Sequence, residues 1–382
     1  MTLDEVQALK EELSAESEPV AGMSLLQKRI DTRRMNGFLR SIMHRPMRDL
    51  PQIFSAREPL LVSAALSGHS LKLAAVPALH ILQAQSADEE TEPSFSIGYS
   101  AVAKNDYQLE VRLQSPDVAT VLLAQEVVQR ARGQARVAEY RELKAHARTS
   151  PKSDPPSLSI GDSIGHPKTT PGTLGLFMRS PGGIGVFSNS HVLACSGRAK
   201  RGDTIFVPPS DDSPDALKIG QLQFFSNLAG GGVLRHDAAF ATIGDGIKHN
   251  GNEIPPNLPD TGKKVIKART MPEPGKLKVN KIGRSSRQTT GTFQAIGVDP
   301  KLEFPRLGQI KLTGMLEILW DSPKKPFSQA GDSGSVVYRP DTMEAIGIVV
   351  GGGVRLADGK REGVTIVCPL EPVMTEWNLS PV

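Results

Sequence analysis

Ser333 lies in SQAGDSGSVVY, residues 328 to 338, between two glycines and directly after an aspartate. A serine placed this way is either a nucleophile on a tight turn or an ordinary turn serine. Gly-Asp-Ser recurs at Gly161-Asp162-Ser163, so the letters alone do not choose between the two copies. Serine hydrolysis needs a base within reach of the hydroxyl, a carboxylate that orients the base, and backbone N–H donors facing the developing oxyanion. The chain has eight histidines to supply the base. His191 lies in GVFSNSHVLAC, where a β-run passes through Asn-Ser into a short helical turn. His236 and Asp237 adjoin in LRHDAAFATI, and the two alanines after Asp237 place its carboxylate in a packed region. Alternation along that strand sends His236 to the opposite face, as a structural or solvent-exposed residue. Gly331 and Gly334 let the backbone approach a tetrahedral centre with no Cβ in the way.

The competing serine is Ser163. Its GDSIG fits G-x-S-x-G, a pattern that requires a strand before the serine, a helix after it, and then an acid and a histidine in that order. Gly165-His166-Pro167 follows at once, and the proline opposes the helix. The expectation for Ser163 is a loop that opens the first β-barrel.

His191, Asp237 and Ser333 follow one another at separations of 46 and 96 residues. SNSHVLAC, HDAAFA and AGDSGS resemble the three signature segments of the chymotrypsin-like (trypsin-like) serine peptidases, in that family's chain order. PGTLGLF, SNSHVLA, DAAFA, KIGRSSRQTTG and GDSGS are also similar to blocks of intracellular bacterial trypsin-like peptidases and the plant narrow-leaf proteases, over roughly 159 to 369. The resemblance implies Ser333 as nucleophile, His191 as general base and then acid, and Asp237 as the group that orients the imidazole. It implies an oxyanion hole from the backbone N–H groups of Gly331 and Ser333. It places Asp332 behind the loop as a structural carboxylate. Secreted members hold that aspartate with a newly cut N-terminal ammonium, whereas here some 150 residues precede the barrels. The loop is then held in another way, or the chain is a zymogen cut near its linker. The position six before the nucleophile, the base of the family's side-chain pocket, is Phe327, so small or apolar side chains are expected there. Val350, Gly351, Gly352, Val364 and Thr365 would form the other walls.

The elements that must position these residues are mostly short strands. After HARTSPKSDPPS (146 to 157), a Pro/Ser-rich stretch that reads as a linker, 225 residues carry Val/Ile/Phe runs separated by Gly, Pro, Asp and Asn. That pattern indicates an all-β sandwich or a pair of barrels, and LEPVMTEWNL is the one helical tail. Before the linker, residues 3 to 13 read as a helix. A basic helical region covers 25 to 50 and continues to 57, its charge taken as a solvated face. An apolar stretch spans 60 to 82 and an acidic loop 86 to 94. FSIGYSAVA, YQLEVRLQ, SPDVATVLLAQEVVQRARGQ and ARVAEYREL then give a ββαβ unit. With the resemblance, the expected architecture is an all-β double β-barrel (chymotrypsin-like) protease domain at 159–382. An N-terminal α+β accessory or regulatory domain is expected at 1–145, with a linker at 146–158.

Net charge is only +4 and no phosphate-binding glycine loop is present, so nucleic acid is not an expected partner. No His/Cys cluster has metal-ligand spacing, and neither a metal nor a cofactor is expected. Cys195 and Cys368 are the only cysteines, expected as buried free thiols in a reducing compartment. The N-terminus does not read as a signal peptide, and the apolar stretch 60 to 82, broken by His69, Lys72 and Pro77, reads as buried core rather than a membrane span. The expectation is a cytoplasmic serine endopeptidase acting on few protein substrates, in signalling or defence, with a regulatory partner on its N-terminal domain. The alternatives are a silent zymogen or a protein-binding scaffold with a protease fold.

Overall fold

The computed structural model describes residues 1–17, 95–114, 118–145, 157–208, 216–230, 234–267 and 271–382. The basic helical region, the apolar stretch, the acidic loop and most of the linker lie outside the described residues. The expected ββαβ unit is present: β1 (Phe95–Ala103), β2 (Asp106–Leu113), α2 (Val118–Arg130) and β3 (Ala135–Ala145), preceded by α1 (Leu3–Ser17). β2 and β3 are parallel, with α2 as the crossover. Val6 and Leu13 of α1 and Val121 and Val127 of α2 pack on Leu109 and Val111 of β2 as one apolar cluster.

The first barrel starts with two short paired strands, β4 (Ser163–Ile164) and β5 (Gly172–Thr173). It continues through β6 (Leu176–Ser180), β7 (Gly183–Ser188), a one-turn helix α3 (Ser190–Leu193), β8 (Thr204–Val207), β9 (Leu217–Phe225) and β10 (Ala239–Ile243). Sheet order is β6-β7-β10-β9-β8, and a bridge from Gly165 to Phe206 ties the β4 end to β8. Phe177, Phe187 and Phe240 fill the interior without solvent contact, each burial stabilising by about 1.5–3 kcal/mol.

After the short β11 (Ile266–Lys267), the second barrel uses β12 (Lys278–Gly283) and β13 (Arg287–Val298), then a hairpin of β14 (Lys301–Phe304) and β15 (Gly308–Lys311). It is completed by β16 (Met315–Trp320), β17 (Val336–Tyr338), β18 (Glu344–Ala357) and β19 (Lys360–Pro369). Helix α4 (Leu370–Glu376) follows, and β20 (Ser380–Pro381) returns to pair with β6. The ring β12-β17-β18-β19-β16-β13 closes because β12 also pairs with β13.

The long strands β13 and β18 change partner part-way along. Arg287 to Thr292 of β13 pair with β12, and Ile296 pairs with Tyr99 of β1. Ala345 to Ile348 of β18 pair with β17, and beyond a bulge Gly351 to Leu356 pair with β3. The ββαβ unit therefore has its own apolar cluster, yet its sheet is continuous with the second barrel. The pairings trace a second ring, β13-β1-β2-β3-β18-β19-β16.

That second ring encloses charge. Arg112 of β2 forks onto Glu317 of β16 at 2.9 and 2.8 Å, Arg355 of β18 donates to Glu317 at 2.5 Å, and the Tyr140 hydroxyl of β3 donates at 2.6 Å. Glu110 pairs with Arg112 at 2.7 Å. These side chains come from β2, β3, β16 and β18 around the ring, β2 and β16 not being paired with each other, and have no solvent contact apart from a small part of Tyr140, so they meet inside the ring. Burial alone would raise the Glu317 carboxyl, but Arg112 and Arg355 outweigh it and hold it at about 2. Glu317 thus contributes stability that is complete above its ordinary value of 4.5 and is lost as pH falls toward 2. Glu317→Gln removes the charge shared by two buried guanidinium groups, leaving Arg112 with Glu110 and Arg355 with Glu362, and should cost about 3 kcal/mol at pH 7. Urea unfolding at pH 7 and pH 3 checks this: the gap between wild type and variant should narrow at the acid pH.

Candidate active site

His191 is delivered by the passage from β7 into α3. Asn189 is extended (φ −80°, ψ 156°), and its carbonyl accepts the first helical bonds from Val192 and Leu193. Its side chain donates to the Asp237 carbonyl at 2.7 Å, while the Ser190 hydroxyl donates to the Ser226 carbonyl. The first bond pins the helical turn onto the segment that carries Asp237, the second onto Ser226, which is itself bonded to Ala238. The Asp237 carboxylate is fully buried and takes two bonds from one residue, the His191 backbone N–H at 3.2 Å and the ring Nδ1 at 2.5 Å. A carboxylate only accepts, so Nδ1 carries a proton. Nε2 is buried with no hydrogen-bond partner among the described residues. Next to Asp237, burial pushes the Cys368 thiol up to about 12, so it stays a neutral S–H.

The Ser333 turn is built from positive-φ glycines and a buried ion pair. Gly331 (φ +95°) and Gly334 (φ +90°) flank it, and a Cβ would fall 2.2 Å from Ser285 Oγ at the first and 2.1 Å from Ser188 Oγ at the second. The Asp332 side chain points behind the turn with no solvent contact. It accepts from the backbone N–H groups of Ser285, Ser286 and Gln329 at 3.0–3.1 Å, from the Ser286 hydroxyl at 2.5 Å, and from Lys281 Nζ at 3.0 Å. Lys281, on β12, has no solvent contact and is also bonded to the Ser286 hydroxyl and to the Arg287 carbonyl. Burial pulls the Lys281 ammonium below the usual lysine range, with Asp332 opposing. Burial would raise Asp332, but Lys281 and Ser286 hold it below the usual carboxylate range. The charge that the loop aspartate requires is thus an internal lysine.

Thr173 of β5 clasps the turn from the other side. Its hydroxyl donates to the Gly331 carbonyl and its N–H to the Ser333 carbonyl, both at 2.8 Å. The Asp332 carbonyl accepts from Ser335 N–H at 3.0 Å. In a trans peptide the N–H opposes the C=O, so the Ser333 N–H is turned to the far side. The Ser333 hydroxyl donates to the Val350 carbonyl at 3.0 Å. The hydroxyl is thus aimed at β18, and Ser333 and His191 Nε2 are not hydrogen-bonded to each other. Apo sites often hold such looser geometry.

The remaining expected residues fall as follows. Val350, Gly351 and Gly352 lie on β18 beside Ser333, all buried. The Thr365 hydroxyl is engaged by Trp320 Nε1 at 3.0 Å and by Ser328 at 2.6 Å. Phe327 is fully buried in a core cluster with Phe293, Ile318 and Val349. Ser163 sits in the two-residue strand β4, followed by no helix. His236 is bound by Ser226 at 2.7 Å and Glu376 at 3.0 Å, away from the Asp237 carboxylate. Both cysteines are free; Cys195 is half-buried rather than buried and lies 3.1 Å from His166 Nδ1. Lys281, Thr173 and Phe304 were not singled out in the sequence, although KIGRSSRQTTG contains the lysine. Phe304 lies edge-on to the His191 ring at 5.6 Å. Among the described residues no group of three or more His, Cys, Asp or Glu has the arrangement to hold a metal, and no helix is long and apolar enough to cross a membrane.

No protein-family model matches the chain, and no curated protein does. Solved structures that are similar to it include a chymotrypsin of Cellulomonas bogoriensis (17% identity, TM-score 0.40) and a Nocardiopsis protease (17%, 0.41). Thermobifida fusca protease A is another (17%, 0.39). Each match covers 59% of this chain and 98% of the other.

Lys281→Met leaves Asp332 buried without its cation. The expected result is a loss of about 3–5 kcal/mol of stability. Adding Asp332→Asn to Lys281→Met should recover most of the stability, read by thermal unfolding.

Proposed function

We propose that the protein is a serine endopeptidase of the chymotrypsin-like class, acting through His191, Asp237 and Ser333. The observation that carries this reading is the 2.5 Å bond between His191 Nδ1 and the buried Asp237 carboxylate; Ser188, three residues before that histidine, packs against Gly334, which follows Ser333. In this mechanism Ser333 Oγ rotates from the Val350 carbonyl to His191 Nε2, loses its proton to that nitrogen and attacks the scissile carbonyl. The tetrahedral oxyanion is held by the N–H groups of Gly331 and Ser333. The imidazolium, its charge offset by Asp237, protonates the leaving amine and leaves an acyl-Ser333, which water then hydrolyses by the reverse roles. Phe327, Val350, Gly351, Gly352 and Thr365 form the substrate pocket in this reading, which takes small or apolar side chains.

The two free cysteines fit a reducing, intracellular setting. There, regulated cleavage of few protein substrates, in signalling or defence and with a partner on the N-terminal domain, is the role we assign. A second reading, a silent zymogen, is favoured by one observation: the Ser333 hydroxyl rests on Val350 and His191 Nε2 has no partner among the described residues. Lys281 speaks against activation by a new chain terminus, since the position such an ammonium would take beside Asp332 is filled.

Labelling with a fluorophosphonate probe tests the assignment. Ser333→Ala should abolish labelling, Ser163→Ala should leave it intact, and Asp237→Asn should slow it by about 10⁴-fold. Labelling that survives in Ser333→Ala would remove Ser333 as the nucleophile.

A further inference from the structure

β18 reaches the nucleophile through Val350, whose carbonyl accepts the Ser333 hydroxyl, and its edge continues as Gly351–Gly352. An extended peptide that presents a carbonyl to Ser333 gains main-chain hydrogen bonds by pairing antiparallel with that edge. The edge is already taken. β3 runs antiparallel to β18 from Glu139 opposite Leu356 to Lys144 opposite Gly352 and Ala145 opposite Gly351. Its chain direction carries it toward Val350 and Ser333. On its far side β14 pairs with the same residue, Glu303 opposite Lys144. Leu143 is buried in the core cluster that also holds Val350, Leu302 and Phe304. Under this cover Ser333 is 0% exposed.

We propose that the C-terminal part of β3 is the resident ligand of the peptide groove. Lys144 and Ala145 fill the places of substrate residues on the acyl side of the scissile bond, and an extended peptide enters only when this end of β3 leaves the Gly351–Gly352 edge. The register with β2 ends at Leu113 opposite Glu139 and Tyr140 is anchored on Glu317, so the end of β3 beyond Arg141 peels away without undoing either. This inference rests on the peptidase reading for the meaning of the groove, but its test needs no chemistry.

The test uses full-length Ser333→Ala protein and a fluorescein-labelled peptide copying residues 141–145, with binding read by anisotropy. Adding Leu143→Asp, which charges a buried anchor of β3, should lower the peptide's Kd about tenfold, because a larger fraction of the groove is open. Lys144→Glu, an exposed change opposite Glu303, should shift Kd the same way by a smaller factor. It also guards against misfolding in the first variant. Hydrogen exchange at residues 350–353 should be slow in Ser333→Ala and faster in both variants. Equal affinity in all three proteins, no binding in any, or fast exchange at 350–353 without the variants would overturn the proposal. Fluorophosphonate labelling of Ser333 fails or succeeds independently, so a failed peptidase reading is told apart from a failed groove reading.

Discussion

A buried lysine and a buried aspartate hold the Ser333 turn in shape. Two charges without solvent contact are tolerable only if every lone pair and proton is matched, and Asp332 meets that demand with three backbone N–H groups, a hydroxyl and Lys281. Meeting it fixes where the Ser285–Ser286 backbone and the Gln329–Asp332 backbone lie relative to each other. With Thr173 clasping the outer side, the carbonyls of Gly331, Asp332 and Ser333 are all oriented. Ser333 therefore sits on a turn whose shape is fixed from within the barrel.

The second constraint is geometric. β13 and β18 are long enough to serve two rings, and β18 changes from β17 to β3 at the bulge around Val350, the residue that accepts the Ser333 hydroxyl. Ser333 thus lies at the seam where the N-terminal strands join the second barrel. Beyond the seam, Glu317 is held by guanidinium groups from β2 and β18 and by the β3 hydroxyl of Tyr140. The ion network and the occupied groove are consequences of one pairing, β3 on β18.

Much of the site was legible in the sequence because its chemistry demands local letters. Glycines at positive φ, a histidine on one helical turn after a strand, and an aspartate before two alanines each leave a short signature, and the histidine and aspartate are found bonded to each other. The ββαβ unit and the C-terminal helix were readable from periodicity and caps. The helix α2 stops where Arg132 and Gly133 turn to positive φ. Long-range partnership leaves no such signature. Nothing local in KVNKIG says that Lys281 turns inward to Asp332, since a lysine in a strand ordinarily faces water. Nor does ARVAEYRELKA reveal that its end pairs with Gly351–Gly352, because strand letters report burial and not the identity of the neighbour. The β14–β15 hairpin was missed for a related reason: KLEF and GQIK are short and half polar, and only the fold sets Phe304 against His191.

The central claim, that Ser333 acts as a nucleophile with His191 as its base, is tested most directly by rapid mixing of the full-length protein with p-nitrophenyl acetate. The account predicts a burst of p-nitrophenol stoichiometric with protein, from acylation of Ser333, followed by slower turnover, with the burst absent in Ser333→Ala. A burst that persists in Ser333→Ala, or none in the wild-type protein, would contradict it.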